Sequence, residues 1–117
     1  PLSPVVSLRA AAVPAAVDMP IVEDSGMLPM LHFGWQAPAD RGATIYSYEG
    51  ELRRVDTGAV RPWSGGGTPA APSTATQVTF SGHAYGLQVG RQFQFRVRGI
   101  NAMGGGSWSE WSSLTEA

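Results

Sequence analysis

From Phe93 to Arg98 the chain reads Phe-Gln-Phe-Arg-Val-Arg, each apolar side chain followed by a polar or charged one. Side chains alternate faces along a strand, so this run has a dry face of Phe93, Phe95 and Val97 and a wet face of Gln94, Arg96 and Arg98. A helix would scatter both sets around its axis. The same period recurs where Leu31, Phe33 and Trp35 alternate with His32 and Gly34. It recurs again where Tyr46, Tyr48, Gly50 and Leu52 alternate with Ser47, Glu49, Glu51 and Arg53, and where Thr76, Val78 and Phe80 alternate with Gln77 and Thr79. Pro4 to Leu8 reads as a short edge strand with proline tolerated at its start, and Trp108 to Leu114 as the last strand. No stretch sustains a helical period. Short strands punctuated by Gly and Pro predict an all-β, seven-stranded, immunoglobulin-like β-sandwich. Its expected core is Trp35, Tyr48, Leu87, Phe93, Phe95 and Val97.

A chain of 117 residues is one domain long, so residues 1–117 are expected to form a single unit. Residues 10–29 shift to Ala, Pro and acidic side chains and read as a long connection, with room for a broken continuation of the first strand. Gln36 to Thr44 reads as a turn-rich loop around Pro38, Asp40 and Gly42. Residues 57–75 are poor in bulky side chains apart from Val60 and Trp63 and read as a flexible loop, most mobile at Ser64-Gly65-Gly66-Gly67. The chain opens on Pro1 rather than Met, as expected of a piece of a longer polypeptide.

Composition removes several classes of function. There is no cysteine, which excludes disulfides and thiolate metal sites. Net charge is −1, with eight arginines and no lysine, whereas a duplex nucleic-acid binder carries a clustered positive excess. No apolar run is long enough to span a bilayer, so no direct membrane insertion is expected. The sole asparagine, Asn101, is followed by Ala102 and Met103 and is no N-glycosylation acceptor. There is no Gly-x-Ser-x-Gly, His-Glu-x-x-His or phosphate-cradling glycine loop. Of the two histidines, His32 alternates outward from its strand and His83 sits in a polar corner. Glu49 and Glu51 share a face, but Arg53 continues the row, and cross-strand pairing with Arg96 or Arg98 is the simpler account. Glu23-Asp24 alone is too poor in oxygen ligands for calcium. No catalytic, metal or cofactor site is expected.

In order and spacing these landmarks resemble the fibronectin type III family over Pro4 to Glu116. Leu8 is similar to the family's first-strand leucine and Trp35 to its core tryptophan. Pro38-Ala39-Asp40-Arg41-Gly42 resembles the following loop. Ile45, Tyr48 and Glu51 match the Ile-x-x-Tyr-x-x-Glu strand of titin-like members. Leu87-Gln88-Val89-Gly90 resembles the turn before the longest strand, and Phe95-Arg96-Val97-Arg98 with Asn101 resembles that strand's end. The resemblance implies an insertion of about a dozen residues near Ala11 to Met27, a length that loops tolerate cheaply. Phe93 stands where the family usually has a corner tyrosine; it keeps the ring and forgoes a hydrogen bond of about 1 kcal/mol.

Trp108-Ser109-Glu110-Trp111-Ser112 resembles the Trp-Ser-x-Trp-Ser (WSXWS) box of class I cytokine receptors. On a flat strand, positions three apart face opposite ways; in a polyproline II-like twist Trp108 and Trp111 share one side. Arg96 and Arg98 then face the same exterior, and guanidinium groups slotting between indoles make a ladder of about 1 kcal/mol per contact. The cytokine-receptor family generally shows more lysine and a cysteine-bearing domain upstream, so the ladder is read as structure first. The leading expectation is a non-catalytic structural or protein-interaction module of a multidomain protein, monomeric when isolated. Its partners would be other proteins or neighbouring domains of the same chain. Binding would use loops at one end, with Asp40, Arg41, Asn101 and Met103 as candidates, or, as a second option, the exposed strand face with Glu49 and Glu51. The alternatives are a cytokine-receptor-like ligand-binding domain and an accessory module of a secreted enzyme.

Overall fold

A computed structural model describes residues 11–23, 30–81, 87 and 90–116. The strands are β1 (Ile21–Glu23), β2 (Met30–Gly34), β3 (Ser47–Arg54), β4 (Val60–Ser64), β5 (Gln77–Ser81), β6 (Gln92–Asn101), β7 (Gly104–Gly105) and β8 (Thr115–Glu116). One sheet runs β1-β2-β5; the other runs β4-β3-β6-β7, with β8 beside β6. Every pairing is antiparallel. The two layers close as an all-β sandwich.

The alternating runs fall where their period requires. Phe93, Phe95 and Val97 of β6 are at most 1% exposed, and Gln94, Arg96 and Arg98 between them are only partly covered. From the facing sheet come Leu31, Phe33, Val78 and Phe80, with Trp35 just beyond β2. Trp35 continues the pairing by donating its amide to the Thr76 carbonyl. The rings interlock: Phe33 stacks on Phe95 at 5.0 Å, and Trp35 meets Tyr48 edge-on at 5.4 Å. Such offset and edge-to-face pairs add about 0.5–1.5 kcal/mol beyond the area they bury. Gly50 interrupts the apolar row of β3 for a steric reason, since a Cβ there would stand 2.4 Å from Cζ of Phe95. The ring takes the place of a side chain.

Two stretches differ from their sequence reading. The span 10–29, read as a connection with room for a broken continuation of the first strand, contains β1, which pairs with β2 through Ile21 opposite Gly34 and Glu23 opposite His32. Ahead of it Pro14, Val17 and Pro20 are buried, and the Ala12 and Ala15 amides donate to the Arg41 and Ala39 carbonyls. Prolines lack the amide a continuous ladder needs, so this run pairs intermittently and shows no period. The strand expected at Pro4 to Leu8 lies outside the described residues.

The span 57–75, read as a flexible loop, contains β4. Its residues are exposed except Trp63, so a strand with little buried surface shows no alternation. The Arg54 amide donates to Ala59 and the Gly65 amide to Tyr48. That phase turns Arg61 and Trp63 toward β3 and Pro62 outward, at an edge where proline costs nothing. Gly65 and Gly67 are both hydrogen-bonded to β3. Gly67 donates to the Ser47 hydroxyl at 3.0 Å, and a Cβ on it would sit 2.1 Å from the Tyr46 carbonyl oxygen. Here glycine serves close approach of two backbones.

Candidate functional site

The outward side of β3 and β6 is set by register. Glu49 lies opposite Arg98, Glu51 opposite Arg96, and Arg53 opposite Gln94. Arg98 donates from Nε to Glu49 at 2.6 Å, and Arg96 from Nε to Glu51 at 2.8 Å; both also donate from Nη2 to the same oxygens. Arg53 donates to Gln94 Oε1, whose amide group in turn donates to the Ser112 carbonyl. Each guanidinium therefore spends its edge on an acceptor and leaves its face available.

Residues 108–112 supply what lies on those faces. The Ser109 amide donates to the Val97 carbonyl and the Ser112 amide to the Phe95 carbonyl. In return the Val97 and Phe95 amides donate to the hydroxyl oxygens of Ser109 and Ser112, each at 3.0 Å. Three residues of this segment accompany two of β6, so it is wound more tightly than a strand. The last strand, expected over Trp108 to Leu114, forms only at Thr115–Glu116. A segment whose rungs are hydroxyls need not adopt strand geometry.

The winding puts both indoles on the outer face. The Arg96 Cζ sits 4.7 Å from the Trp108 ring centroid and 4.6 Å from that of Trp111. Arg98 lies 4.5 Å over Trp108, and Arg53 4.1 Å over Trp111. The stack runs Arg98, Trp108, Arg96, Trp111, Arg53. Arg98 fits because Gly105 carries no side chain: a Cβ there would approach its Cζ to 2.9 Å. Arg96 and Glu51 side chains are 29% and 26% exposed, so each ion pair contributes only up to about 1 kcal/mol. Each ring contact contributes about 0.5–1 kcal/mol.

The four ladder residues named from sequence stand together, joined by Arg53 and Gln94, which sequence reasoning left out of the stack. The signal was present, because Arg53 continues the row of Glu49 and Glu51. Trp63, partly buried and packed against the core, was also missed; its ring meets Trp35 at 5.9 Å and Phe95 at 6.0 Å.

The loop candidates divide. Asp40 and Arg41 are exposed on a turn in which Arg41 and Gly42 take φ of 56° and 96° and Asp40 Oδ1 accepts the Gly42 amide. Met103 is 54% exposed. Asn101 is 1% exposed and faces inward. Its Nδ2 lies within 2.8–3.1 Å of the Ala12, Asp40 and Ala43 carbonyls, and its Oδ1 accepts the Met103 amide. It ties the loops together and has no atom left for a ligand.

Elsewhere, His32 Nε2 is 3.2 Å from both Glu23 Oε1 and Gln77 Oε1; Asp24 and His83 lie outside the described residues. Burial pushes the Tyr48 hydroxyl up from its ordinary value, partly opposed by the Trp35 indole. The Arg54 guanidinium holds the Asp56 carboxyl below the usual carboxylate range. Among the described residues no group of three or more His, Asp or Glu could hold a metal, and no helix is long and apolar enough to cross a membrane.

The sequence profile of the fibronectin type III domain matches residues 28–115. No curated protein matches the chain. Among solved structures, the twitchin kinase region from C. elegans superposes with a TM-score of 0.70 at 25% identity, over 89% of this chain and 16% of that one. Titin kinase with its flanking domains gives 0.68 at 26% identity, over 90% and 17% of the two chains. A run of titin domains gives 0.67 at 27% identity, over 89% and 32%. This chain thus spans about a third or less of each of those polypeptides.

Proposed function

The chain belongs to the fibronectin type III family, and on that premise we propose that it is a non-catalytic structural module of a larger polypeptide, carried in series with other domains. The single observation behind this reading is the five-member ladder. It engages Arg53, Arg96 and Arg98 with Trp108 and Trp111, and Glu49 and Glu51 with the same cations. Those charges and rings stiffen the sheet instead of addressing a ligand. Likeness to modules of titin and twitchin supports this role over a receptor-like one. Contacts to neighbouring domains would fall on the loop end that carries Asp40, Arg41 and Met103.

Force spectroscopy tests the proposal directly. Pulled from its two ends between inert handles, the chain should rupture in one cooperative event. Arg96→Gln combined with Trp111→Ala should lower the rupture force without changing the circular dichroism spectrum. Extension without a force peak, or a rupture force indifferent to the ladder, would reject the role.

A further inference from the structure

The smaller sheet has two rims, β1 and β5, and the hydrogen-bond phase of β2 between them determines what each presents. Trp35 donates its amide to the Thr76 carbonyl. The same register sets Phe33 opposite Val78 and Leu31 opposite Phe80. Bonded and non-bonded pairs alternate along an antiparallel ladder. The main-chain groups of Thr76, Val78 and Phe80 therefore turn toward β2, and those of Gln77, Thr79 and Ser81 turn away. On its other side β2 is left with His32 and Gly34, which bond Glu23 and Ile21, so that Val22 alone faces out from β1. Pro20, which has no amide, stands just ahead of that strand. The β1 rim thus offers a single broken rung, whereas β5 offers a regular row. Among the described residues β5 pairs with β2 alone.

We infer that the β5 rim pairs antiparallel with the β5 rim of a second copy of this chain, with Thr79 of each on the two-fold axis. The rim is complementary to itself. With Thr79 opposite the partner's Thr79, Gln77 lies opposite the partner's Ser81, and every outward amide meets an outward carbonyl. A charge on such a rim would meet its own copy across the axis, and a proline would delete a rung; Gln77-Val78-Thr79-Phe80-Ser81 contains neither. The cross-strand row through Thr79 runs Glu23, His32, Thr79 and then its mirror image, so no like charges adjoin at the axis. Gln77 and Thr79 are exposed, while Val78 and Phe80 are already buried against the facing sheet. Pairing therefore requires no change in the core. The broken β1 rim cannot extend the ladder, so assembly closes at two copies. A single pair of five-residue strands falls short of the roughly 1,200 Å² that a stable interface buries, which makes the association weak and concentration-dependent. This departs from the monomer expected from sequence, because alternation shows which residues are buried and not which strand stands at a rim.

Sedimentation equilibrium of the full chain should show the mass rising from monomer toward dimer between micromolar and millimolar protein. Over the same range, hydrogen exchange should slow at the Gln77, Thr79 and Ser81 amides, while Val78 and Phe80, already bonded to β2, stay as they were. Thr79→Lys sets two like charges against each other at the axis, and Thr79→Pro removes an amide that β2 does not use. Each should hold the mass at the monomer. Thr79→Val keeps the main chain and should still dimerise. Unchanged Trp108 and Trp111 indole signals would report an intact fold in each variant. An unaltered chain that stays monomeric throughout, or a mass that climbs past the dimer, overturns the inference. So does a dimer indifferent to both Thr79→Lys and Thr79→Pro. Slow exchange at the three amides regardless of concentration overturns it too, since another part of the same chain would then cover the rim.

Discussion

Four tryptophans divide evenly between the inside and the outside of this domain. Trp35 and Trp63 meet at 5.9 Å against Phe95 and Tyr48, where their contribution is loss of aqueous surface plus ring geometry. Trp108 and Trp111 face outward and stack against guanidinium groups. The same side chain is an oil-filled wedge in one place and an electrostatic plate in the other. Placement, fixed by winding and register, determines which physics applies.

The widest separation should come from truncation. Trp35→Ala removes a large ring from a closed interior, and a loss of about 3–5 kcal/mol is expected in urea denaturation. That is a large share of the roughly 5–15 kcal/mol that holds such domains folded. Trp108→Ala should cost far less, and equal losses would break the contrast. Next come the rungs that hold the outer pair in place. Ser109→Ala or Ser112→Ala leaves a buried β6 amide without its acceptor, at about 1–3 kcal/mol each. Faster hydrogen exchange at Val97 or Phe95, respectively, would identify the cause.

Smaller still is the contact itself. A double-mutant cycle on Arg96 and Trp108 should give a coupling of about 0.5–1 kcal/mol. Raising the salt should erode the Arg96–Glu51 term while leaving the cost of Trp35→Ala unchanged. Smallest is a site remote from both pairs. Asp56 is held below the ordinary carboxylate value first by its hydrogen bond from Arg54. A depressed folded pKa gives stability that is present at neutral pH and lost as pH falls through that lowered value. Asp56→Asn should therefore flatten the acid limb slightly and leave all four indole signals unmoved.

The sequence announces the inner half of this contrast more fully than the outer. Wherever one face is buried and the other wet, as in Phe93 to Arg98, the period-two pattern locates the strand and its core residues together. It fails for Val60 to Ser64 because that edge has almost no dry face, and Trp63 stands there as a single aromatic without alternating companions. It fails for Ile21 to Glu23 because Pro14 and Pro20 break the run. The outer pair was legible through the spacing of Trp108 and Trp111 and of Arg96 and Arg98. The serine rungs were not, since nothing in a sequence distinguishes a hydroxyl that replaces a carbonyl from one that faces water. Asn101 misled for a related reason: a polar residue beside a glycine loop looks available until its three carbonyl neighbours are seen.

Pro62 marks one flank of the larger sheet and the wound serine segment the other. Neither flank offers a regular row of amides and carbonyls on which a passing copy could zip. Copies of this domain that meet at either of those two flanks are thus steered away from sheet-to-sheet fusion.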